Sequence, residues 1–179
     1  MLPHLPADEE MLISTQRLDL VPLVGGDADD LFPVLHDPAL GRFTGEPPPA
    51  DVDALRARFA AWEARRSPDG AELWLNWVLR SRAERRAIGY VQATVGVGDA
   101  AVAWTVGSSM QRQGFATEAA SALSSWLRDA LGVRSVVASI HPDNTASQRV
   151  AERIGLRPTD RREDGEVVWE NVAAAEPPR

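Results

Sequence analysis

An apolar run that leads through a short turn into a long amphipathic segment constrains this chain more than any other feature. The run covers residues 101–106, the turn reads Gln111-Arg-Gln-Gly-Phe-Ala-Thr-Glu118, and the amphipathic segment ends at Leu131. This succession predicts a strand that delivers the backbone into the first turn of a helix. The first amides of a helix have no intrahelical acceptor and carry the positive end of the helix dipole, and Gly114 lets a ligand approach the main chain. The turn therefore suits a phosphate or a pyrophosphate.

The remaining hydrophobic patterns and turn residues divide the chain into strands and helices. Strands are predicted at residues 15–23, 72–80, 87–95, 100–107, 135–140, 159–163 and 166–172. Helices are predicted at residues 27–35, 51–66, 116–131 and 144–154, with Asp51 as an N-cap and Gly132 and Gly155 as helix-ending glycines. The run at 135–140 shows little alternation, as expected for a strand covered on both faces.

The order of these elements predicts one α/β (α+β) domain over residues 1–179. Antiparallel strands come first, and a strand–helix–strand–helix unit follows them. The core covers residues 15–172, and both termini, including residues 173–179, are expected to fray.

Composition narrows the classes of function. The chain has 179 residues, no cysteine and a formal charge of −7. Without cysteine, disulfides, thiolate metal sites and acyl-cysteine intermediates are excluded. The acidic balance argues against a nucleic-acid partner and favours cationic partners such as amines. The sequence has neither a secretory signal pattern nor an apolar run of roughly 20 residues, so we expect a cytoplasmic protein with no membrane partner.

Most phosphate-binding motifs can be rejected. There is no G-x-x-x-x-G-K-[ST] loop, and Gly96-Val-Gly98 lies between two predicted strands, where it is interpreted as a hairpin turn. What remains is Gln111-x-x-Gly114-x-Ala116, followed downstream by Asn144-x-x-Ser147 and Ile154-Gly155-Leu156. In this order and at this separation, these segments resemble the acetyl-CoA pyrophosphate loop and the second signature of the GNAT superfamily of N-acetyltransferases.

Two further segments resemble one branch of that superfamily, the RimJ/RimL-like ribosomal-protein N-terminal acetyltransferases. They are Thr15-Gln-Arg-Leu-Asp-Leu20 and Gly114-Phe-Ala-Thr-Glu-Ala119, and the whole resemblance extends from Thr15 to Val172. It implies the GNAT fold, a mixed, mostly antiparallel central sheet of about seven strands flanked by helices. It also implies acetyl-CoA (coenzyme A) as the co-substrate, without a metal.

The resemblance also implies a set of residues that bind acetyl-CoA. The loop would hold the pyrophosphate, the strand ending at Val106 would pair with the pantetheine, and an amide of Val106 or Gly107 would face the thioester oxygen. The cofactor-binding residues implied in this way are Val106, Gln111, Arg112, Gln113, Gly114, Phe115, Ala116, Thr117, Asn144 and Ser147.

Ordinary structural roles compete with these ligand roles. Arg112 can be a solvated loop cation or a charge-assisted phosphate contact. Phe115 is expected to pack under the loop, whereas Thr117 can donate to phosphate or stabilise the first turn. Glu118 is interpreted as a first-turn residue that complements the helix dipole. Asn144 is a predicted N-cap, and this role is compatible with a contact to pantetheine.

The general acid is predicted only through the resemblance. In the resembled branch, the serine that corresponds to Ser147 lies near the thioester sulfur and can protonate the leaving thiolate. Many members of the wider family instead carry a tyrosine four residues before the helix-ending glycine, but that position is Ala151 here. The only tyrosine, Tyr90, is predicted on a mid-sheet strand. The acid is therefore Ser147, a water molecule or no group at all, and a thiol with an ordinary pKa near ~8.5 leaves without strong acid help.

The general base is also open. His141 follows the strand at 135–140 and can relay the proton of the attacking amine, although it can equally be a loop histidine before Pro142. Glu46 and Glu163 are the alternative bases, and neither has a spacing argument.

These patterns together predict an acetyl-CoA-dependent N-acetyltransferase that acts by direct attack of a primary amine in a ternary complex. The acceptor is a protein N-terminal α-amine or a small-molecule amine such as a polyamine or an aminoglycoside. The alternative is a catalytically weak acyl-CoA-binding sensor or interaction protein with the same fold. A homodimer formed through an exposed sheet edge is also open.

Overall fold

One mixed sheet organises the computed structural model, which describes residues 1–44 and 47–171. The strands in these ranges are β1 (Ile13–Ser14), β2 (Leu18–Pro22), β3 (Leu73–Ser81), β4 (Arg86–Val95), β5 (Asp99–Val106), β6 (Ser135–Ile140), β7 (Leu156–Glu163) and β8 (Glu166–Asn171). The helices are α1 (Asp8–Met11), α2 (Ala28–Leu35), α3 (Gly41–Thr44), α4 (Val52–Trp62), α5 (Phe115–Leu131) and α6 (Thr145–Arg153). Glu46, Val172 and the C-terminal segment predicted to fray lie outside the described residues.

The strand order confirms the predicted fold class. The sheet runs β1-β2-β3-β4-β5-β6-β8-β7, and every neighbouring pair is antiparallel except β5 with β6. A parallel pair needs a crossover, which α5 supplies. The described sheet has eight strands instead of about seven because the short β1 pairs with β2, Ile13 opposite Leu20. The predicted first strand therefore starts later, at Leu18, since the amide of Thr15 donates to the Leu18 carbonyl at 2.8 Å in the connecting turn.

Different helices bury the two faces of the sheet. On one face, α5 and α6 cover the larger core, to which α5 contributes Ala119, Leu123 and Leu127 at four-residue intervals. On the other face, α2 and α4 cover β3 and β4, with Leu31 and Phe59 in a second core. Residues four apart lie on the same side of a helix, so this spacing directs one side of each helix at the sheet.

Local signals determine where the helices begin and end. The Oδ1 of Asp51 accepts the amide of Ala54 at 2.7 Å, which confirms the predicted N-cap of α4. This helix ends at Trp62, earlier than predicted, because Arg65 adopts a left-handed conformation with φ of 53°. Gly132 follows α5 with φ of 66°, as predicted for a helix-ending glycine. None of the helices in the described ranges is long and apolar enough to cross a membrane.

The prediction that β6 is covered on both faces is wrong. Val136, Ala138 and Ile140 are buried, but Ser139 on the intervening face is exposed. The reason is that α2 and α4 pack over β3 and β4, farther along the sheet. One face of β6 is consequently open at its carboxyl end.

Candidate functional site

The parallel strands β5 and β6 separate after a short stretch of pairing. Three residue pairs join them, the last being Ala101 with Val137. Beyond that pair, β5 continues to Val106 and β6 to Ile140, so a wedge-shaped opening widens toward the carboxyl ends of both strands. Ligands of open α/β sheets bind outside this edge.

Hydrogen bonding to β4 determines which backbone groups of β5 face the wedge. The amide of Gly107 donates to the carbonyl of Ile88 at 2.9 Å. Opposed residues in an antiparallel ladder alternate between hydrogen-bonded and non-hydrogen-bonded pairs, so Val106, opposite Gly89, directs its amide and carbonyl away from β4 and toward the wedge. The expected alternative, an amide from Gly107, is wrong because that amide is already paired with β4. Val106 stays the candidate.

A glycine in the left-handed region turns the backbone from β5 into α5. After a 3₁₀ turn at Ser108–Met110, Arg112 and Gly114 have φ values of 61° and 84°. Gly114 is the N-cap of the 17-residue α5 and has no side chain with which to cap it. The first amides of the helix, from Phe115 to Thr117, consequently lack a capping acceptor. This N-terminus offers the donors that a diphosphate requires.

The side chains of the loop mostly brace the loop itself. Gln111 Nε2 donates to the carbonyl of Val106 at 3.0 Å, and Gln113 Nε2 donates to the carbonyl of Ser109 at 3.3 Å. Phe115 is buried in the larger core, which confirms that it packs beneath the loop. Arg112 is exposed. The capacity to bind an anion therefore lies in the main-chain amides and in Arg112.

A contact that the sequence patterns do not predict ties this end of α5 to the first hairpin. Glu118 Oε1 accepts the hydroxyl of Thr15 at 2.6 Å and the amide of Arg17 at 2.9 Å, and its Oε2 accepts Arg17 Nε at 2.7 Å. Burial by itself would raise the pKa of the Glu118 carboxyl, but these hydrogen bonds and the charge of Arg17 together lower it below its ordinary value. Glu118 therefore does more than complement the dipole. The available signal was the segment from Thr15 to Arg17, which resembles the same branch as the loop does.

The N-terminus of α6 has the predicted cap. Asn144 Oδ1 accepts the amide of Ser147 at 3.1 Å. Ser147 is half-buried and lies four residues before Ala151, which is completely buried in the larger core. Residues at this spacing share one side of a helix, so Ser147 lies on the inward side of α6. Tyr90 lies on β4 and packs against the second core, on the opposite face of the sheet, in keeping with its predicted mid-sheet position.

His141 lies directly after β6, but its hydrogen bonding suits a donor better than a base. The ring is 5.5 Å from that of Phe43 between centroids, and the amide of Asp143 donates to Nδ1 at 3.1 Å. A ring nitrogen that accepts a hydrogen bond carries the lone pair, so the neutral ring holds its proton on Nε2. The lone pair on Nδ1 of the neutral ring thus already accepts the hydrogen bond from Asp143. This arrangement counts against His141 as the group that removes a proton.

Glu163 lies on β7, immediately before the Asp164-Gly165 turn that joins β7 to β8. It is exposed, and its Oε2 accepts the hydroxyl of Ser139 at 3.0 Å. This contact places Glu163 on the open face of β6. In the described part of the chain, the His, Asp and Glu side chains form no group of three or more that could hold a metal ion.

Sequence patterns do not single out Glu166, yet it lies closer to His141 in the sheet than Glu163 does. The β6–β8 register, with Ile140 opposite Val167, places Glu166 directly across from His141. Burial raises the pKa of the Glu166 carboxyl, His141 would oppose that shift only when its ring is protonated, and the charge of Asp164 adds to it. The sequence feature that could have identified Glu166 is its position as the first residue after the predicted hairpin turn, because the register of the hairpin fixes which residues lie opposite each other there.

The family model of the acetyltransferase (GNAT) domain matches residues 17–157, which is most of the chain. The chain therefore belongs to the GNAT family of acetyltransferases, as the loop and the α6 segment indicated. A comparison with curated protein sequences found no significant match.

Solved structures share the fold over nearly the whole chain. RimL, a ribosomal α-N-protein acetyltransferase in complex with coenzyme A, is 16% identical with a TM-score of 0.75, over 92% of this chain and 99% of that one. A candidate ribosomal-protein-serine acetyltransferase from Vibrio cholerae is 20% identical with a TM-score of 0.72, over 96% and 99%. A GCN5-related N-acetyltransferase from Brucella melitensis is 21% identical with a TM-score of 0.72, over 98% and 84%. At these identities the likeness establishes the GNAT fold.

Proposed function

We propose that the protein is an acetyl-CoA-dependent N-acetyltransferase that moves an acetyl group to a primary amine by direct attack in a ternary complex. The observation that carries this proposal is the wedge between β5 and β6 with the uncapped N-terminus of α5 after it. Membership in the GNAT family supports acetyl transfer in general. The fold shared with RimL, whose structure contains coenzyme A, supports acetyl-CoA as the donor.

The binding groups divide along the length of the donor. The first amides of α5 would hold the diphosphate, with Arg112 adding a charge-assisted contact. The wedge side of β5 would pair with the pantetheine arm, and Asn144 has an amide group left for that arm because only its oxygen is used in the cap. When bound, the thioester supplies the acetyl group.

The amide of Val106 is the proposed donor to the thioester oxygen as negative charge develops there. It faces the wedge, and Gln111 holds the carbonyl of the same residue at 3.0 Å, which steadies the end of β5. A fixed donor at such a position typically contributes about 3 kcal/mol to lowering the barrier.

The acceptor amine would reach the wedge from the open face of β6. Glu163, Asp164 and Glu166 supply negative charge at that edge, which attracts an ammonium group. Glu166 joins Glu163 as a proposed base, because a carboxyl whose pKa is raised by burial is a better base near neutrality than an ordinary one. His141 would orient the acceptor with its Nε2–H.

Ser147 is the proposed acid for the departing thiolate. Its place on the inward side of α6, next to the cap, supports this role. The demand on it is small, because a thiolate is a weakly basic leaving group.

The acceptor class is proposed from the resemblance to the RimJ/RimL-like branch. The segment from Thr15 to Leu20 and the fold shared with RimL favour a protein N-terminal α-amine over a small-molecule amine. Such an acceptor fits the cytoplasmic location expected from the sequence.

The test is release of free coenzyme A, read with a thiol reagent, to which this cysteine-free protein contributes no background. The acceptors are peptides with a free N-terminus, the same peptides N-blocked but carrying lysine, polyamines and aminoglycosides. We expect release that depends on the free-N-terminus peptides and on both substrates together. Ser147→Ala should lower kcat with little change in the KM for acetyl-CoA, while Ser121→Ala, at an exposed position on α5, should leave both unchanged.

Three results would speak against this function. Direct attack is expected because the chain has no cysteine to carry an acetyl group. Transfer of acetyl to the protein before the amine binds would contradict it. Preference for polyamines or aminoglycosides would move the acceptor class to small molecules. Tight acetyl-CoA binding without acceptor-dependent release across the whole panel would instead support the acyl-CoA sensor.

A further inference from the structure

One carboxylate joins two segments of the chain that are more than 100 residues apart. Glu118 lies 103 residues from Thr15 and 101 from Arg17, and it receives hydrogen bonds from both. The Thr15 hydroxyl has one proton and two acceptors within reach, Glu118 at 2.6 Å and the Leu18 carbonyl at 3.1 Å, so the shorter contact takes it. The hydroxyl oxygen of Thr15 also accepts a hydrogen bond from the amide of Leu18 at 2.9 Å, and this bond closes the turn between β1 and β2. The hairpin and the helix end are therefore built around one group.

The guanidinium of Arg17 reaches past this carboxylate into the loop. Its Nη2 lies 2.6 Å from Glu118 Oε2, and its Nη1 donates to the carbonyl of Gln113 at 2.9 Å. Its Cζ lies 4.4 Å from the centre of the Phe115 ring. A Cβ placed on Gly114 would be 3.4 Å from Nη2. Arg17 thus contacts Gln113 and Phe115 on either side of Gly114 at the entry to α5, together with Glu118 in the first turn of that helix.

We propose that Arg17 is a positioning residue of the acetyl-CoA site, which holds the loop from Gln111 to Ala116 in its diphosphate-binding shape and neutralises Glu118 beside the bound anion. This proposal rests on the proposed function, because it takes acetyl-CoA as the ligand of the loop.

The charge of Glu118 is what makes Arg17 matter for the ligand. Glu118 lies one to three residues, about 1.5–4.5 Å along the axis, from the amides of Phe115 to Thr117 that would hold the diphosphate. An unpaired carboxylate there would repel that anion at short range. Glu118 has a side chain only 18% exposed, so solvent screens it poorly, whereas Arg17 is 42% exposed and can face both partners. An isolated surface ion pair would contribute little, but here two guanidinium nitrogens contact Oε2, and the Thr15 hydroxyl and the Arg17 amide donate to Oε1.

Four variants separate positioning from charge. Arg17→Met keeps an apolar stem over Phe115 and removes the guanidinium, and Arg17→Lys keeps the charge without the fork. Glu118→Gln removes the negative charge, and Arg17→Met/Glu118→Gln removes both. We expect Arg17→Met to weaken coenzyme A binding in calorimetry by about tenfold or more. Arg17→Lys should recover part of this loss, Glu118→Gln alone should change affinity little, and the double variant should bind more tightly than Arg17→Met.

A merely structural role is distinguished by the ligand series. The loss in Arg17→Met should be equal for coenzyme A and dephospho-coenzyme A, which share the diphosphate, and absent from kcat/KM with S-acetyl-pantetheine, which lacks it. Arg82→Met is the matched control, because it removes a guanidinium that binds Asp19 on β2 at 2.7 Å, and it should leave all three ligands unaffected. Equal loss for all three ligands in Arg17→Met, or no loss for any, would overturn the proposal.

Hydrogen exchange of the loop amides in the free protein tests the positioning role without any ligand. Arg17→Met should accelerate exchange between residues 113 and 117 but not in the core of α5, and unchanged exchange would overturn the role. An acceptor panel without turnover would overturn the proposed function alone, since the coenzyme A affinities and the exchange rates would still decide the role of Arg17.

Discussion

Gly89 on β4 lies against β5 with no room for a side chain. A Cβ at this position would be 2.0 Å from the carbonyl oxygen of Thr105 and 3.0 Å from the Cα of Val106. Both obstacles are main chain, so no change of rotamer relieves them. Carbon and oxygen atoms in neighbouring strands approach to about 3.3 Å at closest. Gly89→Ala therefore requires the two strands to separate locally by more than about 1 Å.

This separation should cost both stability and turnover. Overpacking of a well-packed interior costs about 1–3 kcal/mol, and we expect about 3 kcal/mol here because the clash is with backbone. For a chain of this length, that corresponds to a fall in Tm of about 6–12 °C. The displaced strand carries the amide of Val106, and a misplacement of about 1 Å in a catalytic group can lower kcat about 100-fold. Coenzyme A affinity should fall less, since the loop and α5 are not moved directly.

The assay combines calorimetric unfolding with steady-state acetyl transfer. Gly26→Ala is the matched control, because a Cβ there meets no atom within 4 Å and its backbone conformation is ordinary. Its Tm should stay close to that of the wild type. A Gly89→Ala protein with the same Tm and kcat as the control would refute the close approach of β4 and β5 on which the orientation of Val106 depends.

Asn144 and Glu118 allow two further tests. Asn144→Ala should lower the free energy of unfolding by about 1 kcal/mol through loss of the α6 cap, while Asn144→Asp keeps the accepting oxygen and should keep the stability. Lower acetyl-CoA affinity in both variants would assign the side-chain amide of Asn144 to pantetheine binding. Unchanged affinity in Asn144→Asp would show that Asn144 acts only as a cap. The folded-state pKa of Glu118 is lowered from 4.5, so its contribution to stability is complete above that value and is lost as the pH falls through the folded-state pKa. The difference in urea unfolding between wild type and Glu118→Gln should therefore be constant near neutrality and shrink below pH 4.5, with the exposed Glu152→Gln as control. A difference that grows in acid would contradict the assignment.

Features that depend on neighbouring residues could be predicted from the sequence. The cap at Asn144 and the helix-ending Gly132 each follow from a residue type beside a periodic segment. The mixed, mostly antiparallel sheet was expected as well, since the helix between β5 and β6 supplies the crossover that a parallel pair needs. The two-residue β1 could not be predicted, since a strand of that length has no periodicity of its own.

Contacts set by distant segments could not be predicted. Arg17 and Glu118 are brought together only by the packing of the first hairpin on α5, and neither residue type implies the other. The position of Glu166 across from His141 likewise depends on the register between β6 and β8. Spacing along the chain carries neither kind of information.

The occupied lone pair of His141 bears on the proposed acceptor. At pH 7, an α-amine with an ordinary pKa of about 7.7 is deprotonated in about one molecule in six, whereas a lysine with a pKa of about 10.4 is deprotonated in about one in 2,500. The concentration of free amine is therefore about 400-fold lower for lysine than for an α-amine. Where no imidazole base assists, the rate of acetyl transfer to lysine should be lower by the same factor. A half-buried carboxyl such as Glu166 can remove a proton that an α-amine loses readily, but it is poorly matched to a lysine ammonium. This difference supports the proposed acceptor, an N-terminal α-amine, and peptides that present one should outpace their N-blocked lysine counterparts.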